Sequence, residues 1–410
     1  MTAKRSGRQQ SSVLLLAMLL VTASPIHPGS ATSVLWTAPA LLAASMMIAW
    51  GAEASQFFMA QGFALAILAC LQTLPEFAVE AVLAWHQQTE YLLANLTGAL
   101  RLLIGLGWPM IYCTAAMSHR RRHGKPLDGI KLTAEHSVQV IGVLVCLAYA
   151  AVIWLKSLLN IFDAFVLIGI YASYLIVLRR MPSTDAEGIE DLGLVSRSVV
   201  TARKPVRVFS IISLFAVGGV TIFFVAKPFL ASLFALSTML GVSEFVFIQW
   251  IAPFLSEFPE QVSAFYWARS IQRAPMALMN MVSSNINQWT LLAAMLPIVL
   301  SISRGAPSAI RFDDQQSLEL LMTIGQSLAG ALVLMNMELV WWEAALLFVL
   351  WAVQFGFSIS PHGVAAKMHW YVTFAYLAWS GIEIVRLLLG FRKPLAFRQF
   401  VAAMRGIRAL

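Results

Sequence analysis

A succession of apolar runs, each long enough to cross a bilayer, restricts this chain more than any other feature. About 20 apolar residues span the hydrocarbon core as a helix. In lipid every backbone N–H and C=O needs an internal partner, so continuous runs of this length read as helices. The runs fall near residues 34–53, 57–85, 91–115, 136–155 and 158–178, then 208–236, 242–266, 276–302, 317–336 and 340–359, with a last one at 369–390. The expectation is an all-α integral membrane protein, multi-pass in the cell membrane, with about 11 transmembrane helices. Only 12% of residues are charged, against about 25% in a soluble domain. The net charge of +8 does not point to nucleic acid, because Lys and Arg gather between the runs, as the positive-inside rule expects. Cys70, Cys113 and Cys146 sit in apolar runs without metal-ligand spacing, and read as small hydrophobes.

Residues 1–31 begin with a basic stretch, MTAKRSGRQQ, followed by SSVLLLAMLLVTAS and a Pro/Gly/Ser-rich segment. That pattern fits a cleaved secretory signal peptide, or equally a retained N-terminal anchor that would raise the count to about 12. Basic residues concentrate at 118–131, 179–207 and 267–274 and in the tail FRKPLAFRQFVAAMRGIR. Placing these on the cytoplasmic side makes residue 34 start outside. The domain plan is then a five-span half at 34–179, a cytoplasmic linker at 180–207, a second five-span half at 208–360, and an extra span with a basic cytoplasmic tail at 361–410. An odd number of spans per half inverts the second against the first. The fold expected is two inverted five-helix repeats plus one extra C-terminal helix.

Two of the runs carry the same interruption. Gly241–Glu260, GVSEFVFIQWIAPFLSEFPE, holds Pro253 and Pro259 together with Glu244, Glu257 and Glu260, and LQTLPEFAVEAVLAW holds Pro75, Glu76 and Glu80. Proline removes a backbone donor and clashes with the preceding turn, so both helices should kink or break. Carboxylates beside a broken helix are costly in a bilayer and mark a functional site. Under the orientation above, the two Pro-Glu helices are antiparallel. Glu76 and Glu260 are 184 positions apart, and Asn95 and Asn280, each in the following run, are 185 apart. Inverted repeats bring substrate and ion sites to the midplane, where interrupted helices meet.

At these residues the chain resembles the cation/calcium exchanger superfamily, which includes sodium/calcium exchangers. That family carries two α-repeats, each with Gly-Thr-Ser-Leu-Pro-Glu followed one helix later by Gly-Asn-x-x-Gly-Ser-Asn-x-x-Asn. Here the second repeat reads LSEFPE (Leu255–Glu260) then MNMVSSNINQ (Met279–Gln288), and the first reads LQTLPE (Leu71–Glu76) then ANLTGALRLL (Ala94–Leu103). Trp50-Gly51-Ala52-Glu53 is similar to the Gly-Ala-Asp that often closes the family's first span. The resemblance covers roughly residues 34–360. It implies that Glu76 and Glu260 are the two central ion ligands. Thr73 matches a Ser and Ser256 a Thr whose oxygens coordinate ions. Ser284 keeps the Ser of the second repeat, and Gln288 stands where the family has Asn or Asp. Ala99 and Leu103 occupy the matching Ser and Asn positions of the first repeat and offer no ligand. Gln72 replaces a Thr, and Glu257 a Ser.

Those residue types suit hard cations. Calcium takes six to eight oxygen ligands from carboxylates, carbonyls and amides. Glu76, Glu260, Ser256, Ser284 and Gln288, with carbonyls freed by Pro75 and Pro259, would supply such a set, and Glu80 and Glu257 add charge or carry protons. Asn95 and Asn285 are further candidate modulators of the site. Arg101 lies at about mid-depth of its span and needs a carboxylate or water; it either binds Glu76, Glu80 or Glu257 as a tethered cation, or faces another helix. Lys156 and Asp163 read as headgroup-level residues, and Glu338, Glu343 and Lys227-Pro228 as interface positions or kinks. The function expected is a secondary antiporter exchanging a cation, calcium foremost, for Na+ or H+ by alternating access. The cations and the bilayer are its partners, and no cofactor is needed. Two rivals are a degenerate exchanger fold without transport and an intramembrane protease. The protease lacks support, since there is no HExxH helix and no His in the span of Glu257 and Glu260 to complete a catalytic pair.

Overall fold

The computed structural model describes residues 29–55, 57, 64–179, 189, 192–360 and 362–409. The signal-peptide or anchor segment up to residue 28 and much of the linker start at 180–191 lie outside the described residues. In the first half, helix α1 (Val34–Ser55) is followed by two short helices, α2 (Ala64–Gln72) and α3 (Leu74–Trp85). Then come α4 (Thr89–His123), α5 (Ser137–Lys156) and α6 (Ile161–Arg179). A seven-residue helix, α7 (Leu194–Val200), sits in the linker. The second half repeats the order: α8 (Lys204–Leu240), the short α9 (Glu244–Ser256) and α10 (Phe258–Ala268), then α11 (Ala274–Arg304), α12 (Asp314–Val333) and α13 (Trp341–Ser358). Helix α14 (His362–Leu388) and a tail helix α15 (Leu395–Ala409) close the chain. Among the described residues nine helices are long and apolar enough to cross a membrane. The second and seventh apolar runs are the two that are split, as the prolines require.

Helix ends follow from local sequence. Helix α4 runs on through Arg120, Arg121 and Arg122 and stops at Gly124, whose φ of 68° needs the left-handed region. Cations in a last turn meet the negative end of the helix dipole, so the basic loop is the solvated end of a span. Helix α12 starts with a capping box: Asp313 Oδ1 accepts from Gln316 N at 2.7 Å, and Gln316 Oε1 from Asp313 N at 3.1 Å.

The inverted repeat is visible in two independent features. A π-helical turn widens α4 at Leu103–Gly107 and α11 at Gln288–Leu292, again 185 positions apart. Two small antiparallel sheets join the halves crosswise. Strand β1 (Gly129–Lys131), between the third and fourth spans of the first half, pairs with β4 (Glu338–Val340), between the fourth and fifth of the second. Strand β2 (Leu158–Leu159) pairs with β3 (Ile310–Arg311) in the opposite sense of the same exchange. A two-fold axis in the membrane plane demands this swap, and it sets one sheet on each membrane face.

Close approaches mark the packing. A Cβ at Gly98 of α4 would lie 1.8 Å from the carbonyl oxygen of Gln249, so α4 and α9 touch backbone to backbone. Helix α8 crosses α1 at Gly218, where a Cβ would lie 3.0 Å from Ala44 O. Helix α12 is the most enclosed span, with 89% of its apolar window buried, whereas α8, 28% buried, faces lipid; α8 continues helically through Lys227-Pro228.

Two acids in the first turns of α6 and α13 are enclosed by their partners. Asp163 is buried; it pairs with Lys156 and accepts from Tyr149 Oη at 2.8 Å and Asn160 N at 2.9 Å. Glu343 is likewise buried, paired with Arg392 at 2.6 Å. Arg392 also holds Glu383 at 2.6 Å and donates to Val333 O at 2.6 Å, tying the start of the tail to α12, α13 and α14. A burial cost of several kcal/mol per ion is offset in each case by a direct partner.

Candidate functional site

The two breaks are single residues. Thr73 (φ −79°, ψ −2°) separates α2 from α3, and Glu257 (φ −86°, ψ −3°) separates α9 from α10. Pro75 and Pro259 fall in the first turn of the following helix, where a missing N–H is tolerated. They leave the carbonyls of Leu71 and Leu255 without their usual i+4 donors. Glu76 and Glu260 stand in the same first turns, and Glu76, Glu80, Glu257 and Glu260 are all at most 1% exposed.

Residue Gln288, at the start of the π turn of α11, joins the halves. Its Nε2 donates to Glu76 Oε2 and to Glu257 Oε1, each at 2.8 Å. Ser284, one turn earlier, donates from Oγ to Glu260 Oε1 at 2.6 Å. Asn287 Nδ2 donates to Thr73 Oγ1 at 2.5 Å, and that hydroxyl donates to Cys70 O at 2.9 Å. One face of α11 thus holds both breaks, and Glu76, Glu257 and Glu260 lie within electrostatic range of one another. Several buried oxygens around this point have no protein donor: Glu76 Oε1, Glu257 Oε2, Glu260 Oε2, Gln288 Oε1 and Asn287 Oδ1. Lone pairs left bare in this way suit a cation. Among the described residues no three His, Cys, Asp or Glu side chains converge as a preformed metal cage, so a cation here would meet a mixed set of carboxylate, amide and backbone oxygens.

The remaining predicted residues surround this centre. Glu80 accepts from Asn95 Nδ2 at 3.0 Å. Asn285 Nδ2 donates to Leu100 O at 3.3 Å, a cross-repeat contact to backbone. Ser256 Oγ turns to Pro253 O at 3.3 Å. Gln72 accepts from Asn280 Nδ2 at 3.1 Å and donates to Ser263 Oγ at 3.3 Å, and Ser263 donates to Glu53 Oε1 at 2.7 Å. Glu53 also accepts from Ser196 of α7 at 2.7 Å. A polar chain therefore runs from the break at Thr73 to the end of α1 and the linker.

The tethered-cation reading of Arg101 is overturned. Its guanidinium pairs with Glu319 Oε2 of α12 at 2.6 Å, donates to Thr97 O at 2.9 Å and lies 5.3 Å from the Trp250 ring. None of Glu76, Glu80 or Glu257 is its partner; at about 100° per residue the helical phase turns it away from Ala99 and toward α12. Glu319 in turn meets His369 Nδ1 of α14 at 3.0 Å. Sequence reasoning missed Glu319, His369 and Asn287. A signal existed for Asn287, which lies beside Gln288 in the stretch Ser283–Gln288, where every residue but Ile286 carries an amide or hydroxyl; none existed for a pairing 218 positions distant.

The model of the sodium/calcium exchanger protein family matches residues 30–179 and 210–360. The chain belongs to that family. The exchanger match falls on the two halves, leaving out the linker and everything from α14 onward. Among solved structures, the H+/Ca2+ exchanger CAX is 28% identical with a TM-score of 0.87, covering 99% of this chain and 98% of that one. YfkE in its native form (13% identity, TM-score 0.57, 89% and 99% covered) and the sodium-calcium exchanger NCX_Mj (18%, 0.52, 84% and 97%) share the fold. No curated protein sequence matches. As an exchanger-family member the chain is a multi-pass membrane transporter of the cation/calcium exchanger superfamily, not an enzyme. The first repeat brings no side-chain oxygen at Ala99 and Leu103, whereas the second carries Glu257 and Gln288.

Proposed function

We propose that this exchanger moves Ca2+ against protons around Glu76 and Glu260, with Glu257 as a third carboxylate of the same site. The carrying observation is the bridge from Gln288 to Glu76 and Glu257. One amide spans the two inverted halves, so an ion bound there senses both. Calcium needs six to eight oxygens. The bare carboxylate and amide oxygens, with the Leu71 and Leu255 carbonyls, are candidates for that number without help from Ala99 or Leu103. Ser284 orients Glu260, Asn287 positions Thr73, and Glu80 with Asn95 flanks the site. Ser256, Gln72 and Asn285 stand at its edges through the contacts given above.

Charge supports protons as the counter-ion. Three carboxylates meet no Lys or Arg among their hydrogen-bond partners, so releasing a divalent cation leaves negative charge in a low-dielectric setting. Protons neutralise it carboxyl by carboxyl. Similarity over nearly the whole chain to an H+/Ca2+ exchanger points the same way. Alternating access follows the repeat logic: the halves rock about a fixed midplane site. The linker and tail lie on the cytoplasmic side, with β1 and β4, beside most of the Lys and Arg. The test is ion flux in liposomes, wild type against Glu260→Gln, under an imposed proton or sodium gradient.

A further inference from the structure

On the membrane face that carries β2 and β3, a cavity of about 890 Å³ opens between the ends of α4, α9, α12, α13 and α14. It opens around the start of α9, whereas the split-helix centre lies at the other end of that helix, at Glu257. Its wall holds three carboxylates, Glu90, Glu244 and Asp313, and no Lys or Arg among the described residues. Tyr91 Oη donates to Glu244 Oε2 at 2.6 Å and fixes that carboxylate, while Asp313 is fixed by its cap on α12. Two buried side chains also line it. Gln249, 1% exposed, has no partner for either amide atom, and His369, 7% exposed, has none for Nε2. With His369 Nδ1 held by Glu319 at 3.0 Å, an N–H at Nδ1 leaves a lone pair at Nε2.

We propose that this cavity is a second cation site, taking a divalent cation that keeps its water shell. Coulomb attraction scales with ionic charge, so three carboxylates without a basic neighbour favour a divalent over a monovalent ion. No three acidic or His ligands converge here for direct coordination among the described residues. A shell of six to eight waters at about 30 Å³ each fits the cavity with room to spare. Waters bound to a cation are strong donors, and Gln249 Oε1 and His369 Nε2 are acceptors without partners. The site bears on the helices of the split-helix centre: Gln249 lies in the π turn of α9, and its carbonyl presses on Gly98 of α4.

The inference stands apart from the exchange reading, and Mn2+ serves as the probe. Mn2+ binding to the full chain in detergent is followed by electron paramagnetic resonance, in a Glu76→Gln/Glu257→Gln/Glu260→Gln background that removes the three central carboxylates. One saturable Mn2+ per chain is expected to remain, with water-proton relaxation showing a retained hydration shell. Adding Glu90→Gln and Glu244→Gln, which keep the shape and the Tyr91 contact, should weaken it at least tenfold. Should that variant fail to fold, Asp313→Asn, which preserves the cap, should weaken it about threefold. No saturable Mn2+ in the background variant, or binding indifferent to these substitutions, overturns the proposal. Failure of the central site shows separately, as Mn2+ binding that is the same in wild type and background.

Discussion

Replacing Gln288 by Leu removes the one side chain that touches carboxylates from both halves. Two hydrogen bonds at 2.8 Å are lost, both inside a fully buried cluster. Bonds to charged acceptors contribute about 1.5–3 kcal/mol each, and a buried acceptor left bare costs about 1–3 kcal/mol. Hydrogen bonds between membrane helices average nearer 0.6 kcal/mol, because the alternatives in lipid also find partners. Taking about 1.5 kcal/mol per bond as the compromise, the bridge is worth about 3 kcal/mol. At 1.4 kcal/mol per decade, Ca2+ affinity in the Leu variant should fall roughly 100-fold. Gln288→Asn, which keeps the amide but withdraws it by one methylene, should fall between. The assay is the Ca2+ concentration at half-maximal uptake into liposomes, with chromatographic monodispersity confirming the fold. A change of less than twofold in the Leu variant would refute the reasoning, since the bridge would then be incidental to ion binding.

Three further outcomes follow from the packing. Glu319→Gln leaves Arg101 without its carboxylate at full burial and should lower stability by about 3–5 kcal/mol; in vesicles that retain folded protein the ion ratio stays unchanged, and an altered ratio would return Arg101 to the ion site. Gly98→Ala drives a methyl to 1.8 Å from Gln249 O. No rotamer relieves that clash, so the cost should reach or exceed the usual 1–3 kcal/mol of overpacking, read as a lower melting temperature than Gly219→Ala, where the added Cβ meets nothing within 4 Å. In a cysteine-free background, Lys125→Cys and Ala306→Cys should react with an impermeant thiol reagent from opposite sides of the membrane, because they adjoin β1 and β3; labelling from one side contradicts the sheet topology.

What could be read from the sequence was what is local or periodic. Apolar run length placed the spans, because lipid enforces internal backbone hydrogen bonding. The prolines at 75 and 259 located both breaks within a few residues, because the missing N–H is a covalent fact. The matched spacing of Glu76 and Glu260 and of Asn95 and Asn280 pointed to the repeat, and the resemblance to the exchanger family added Ser284 and Gln288. Long-range partners were not legible. Arg101 demanded a counter-charge, yet nothing near it in sequence distinguished Glu319 from Glu76 or Glu80, and only the phase of α4 against α12 decides. Nothing in the sequence around Asp163 announced that Tyr149 and Asn160 would join Lys156 as its partners. The tail read only as basic, with nothing to show that Arg392 would anchor it or that α15 would follow as a helix.

The central claim is that Glu76 and Glu260 form a proton-coupled calcium site. Reconstituted wild-type protein with Ca2+ inside, placed under an inward proton gradient, should release Ca2+, and Glu260→Gln should abolish that release while remaining folded. Release driven by a sodium gradient instead would replace the coupling ion. No movement of Ca2+, Na+ or H+ under either gradient, or flux that survives Glu260→Gln, would contradict the account.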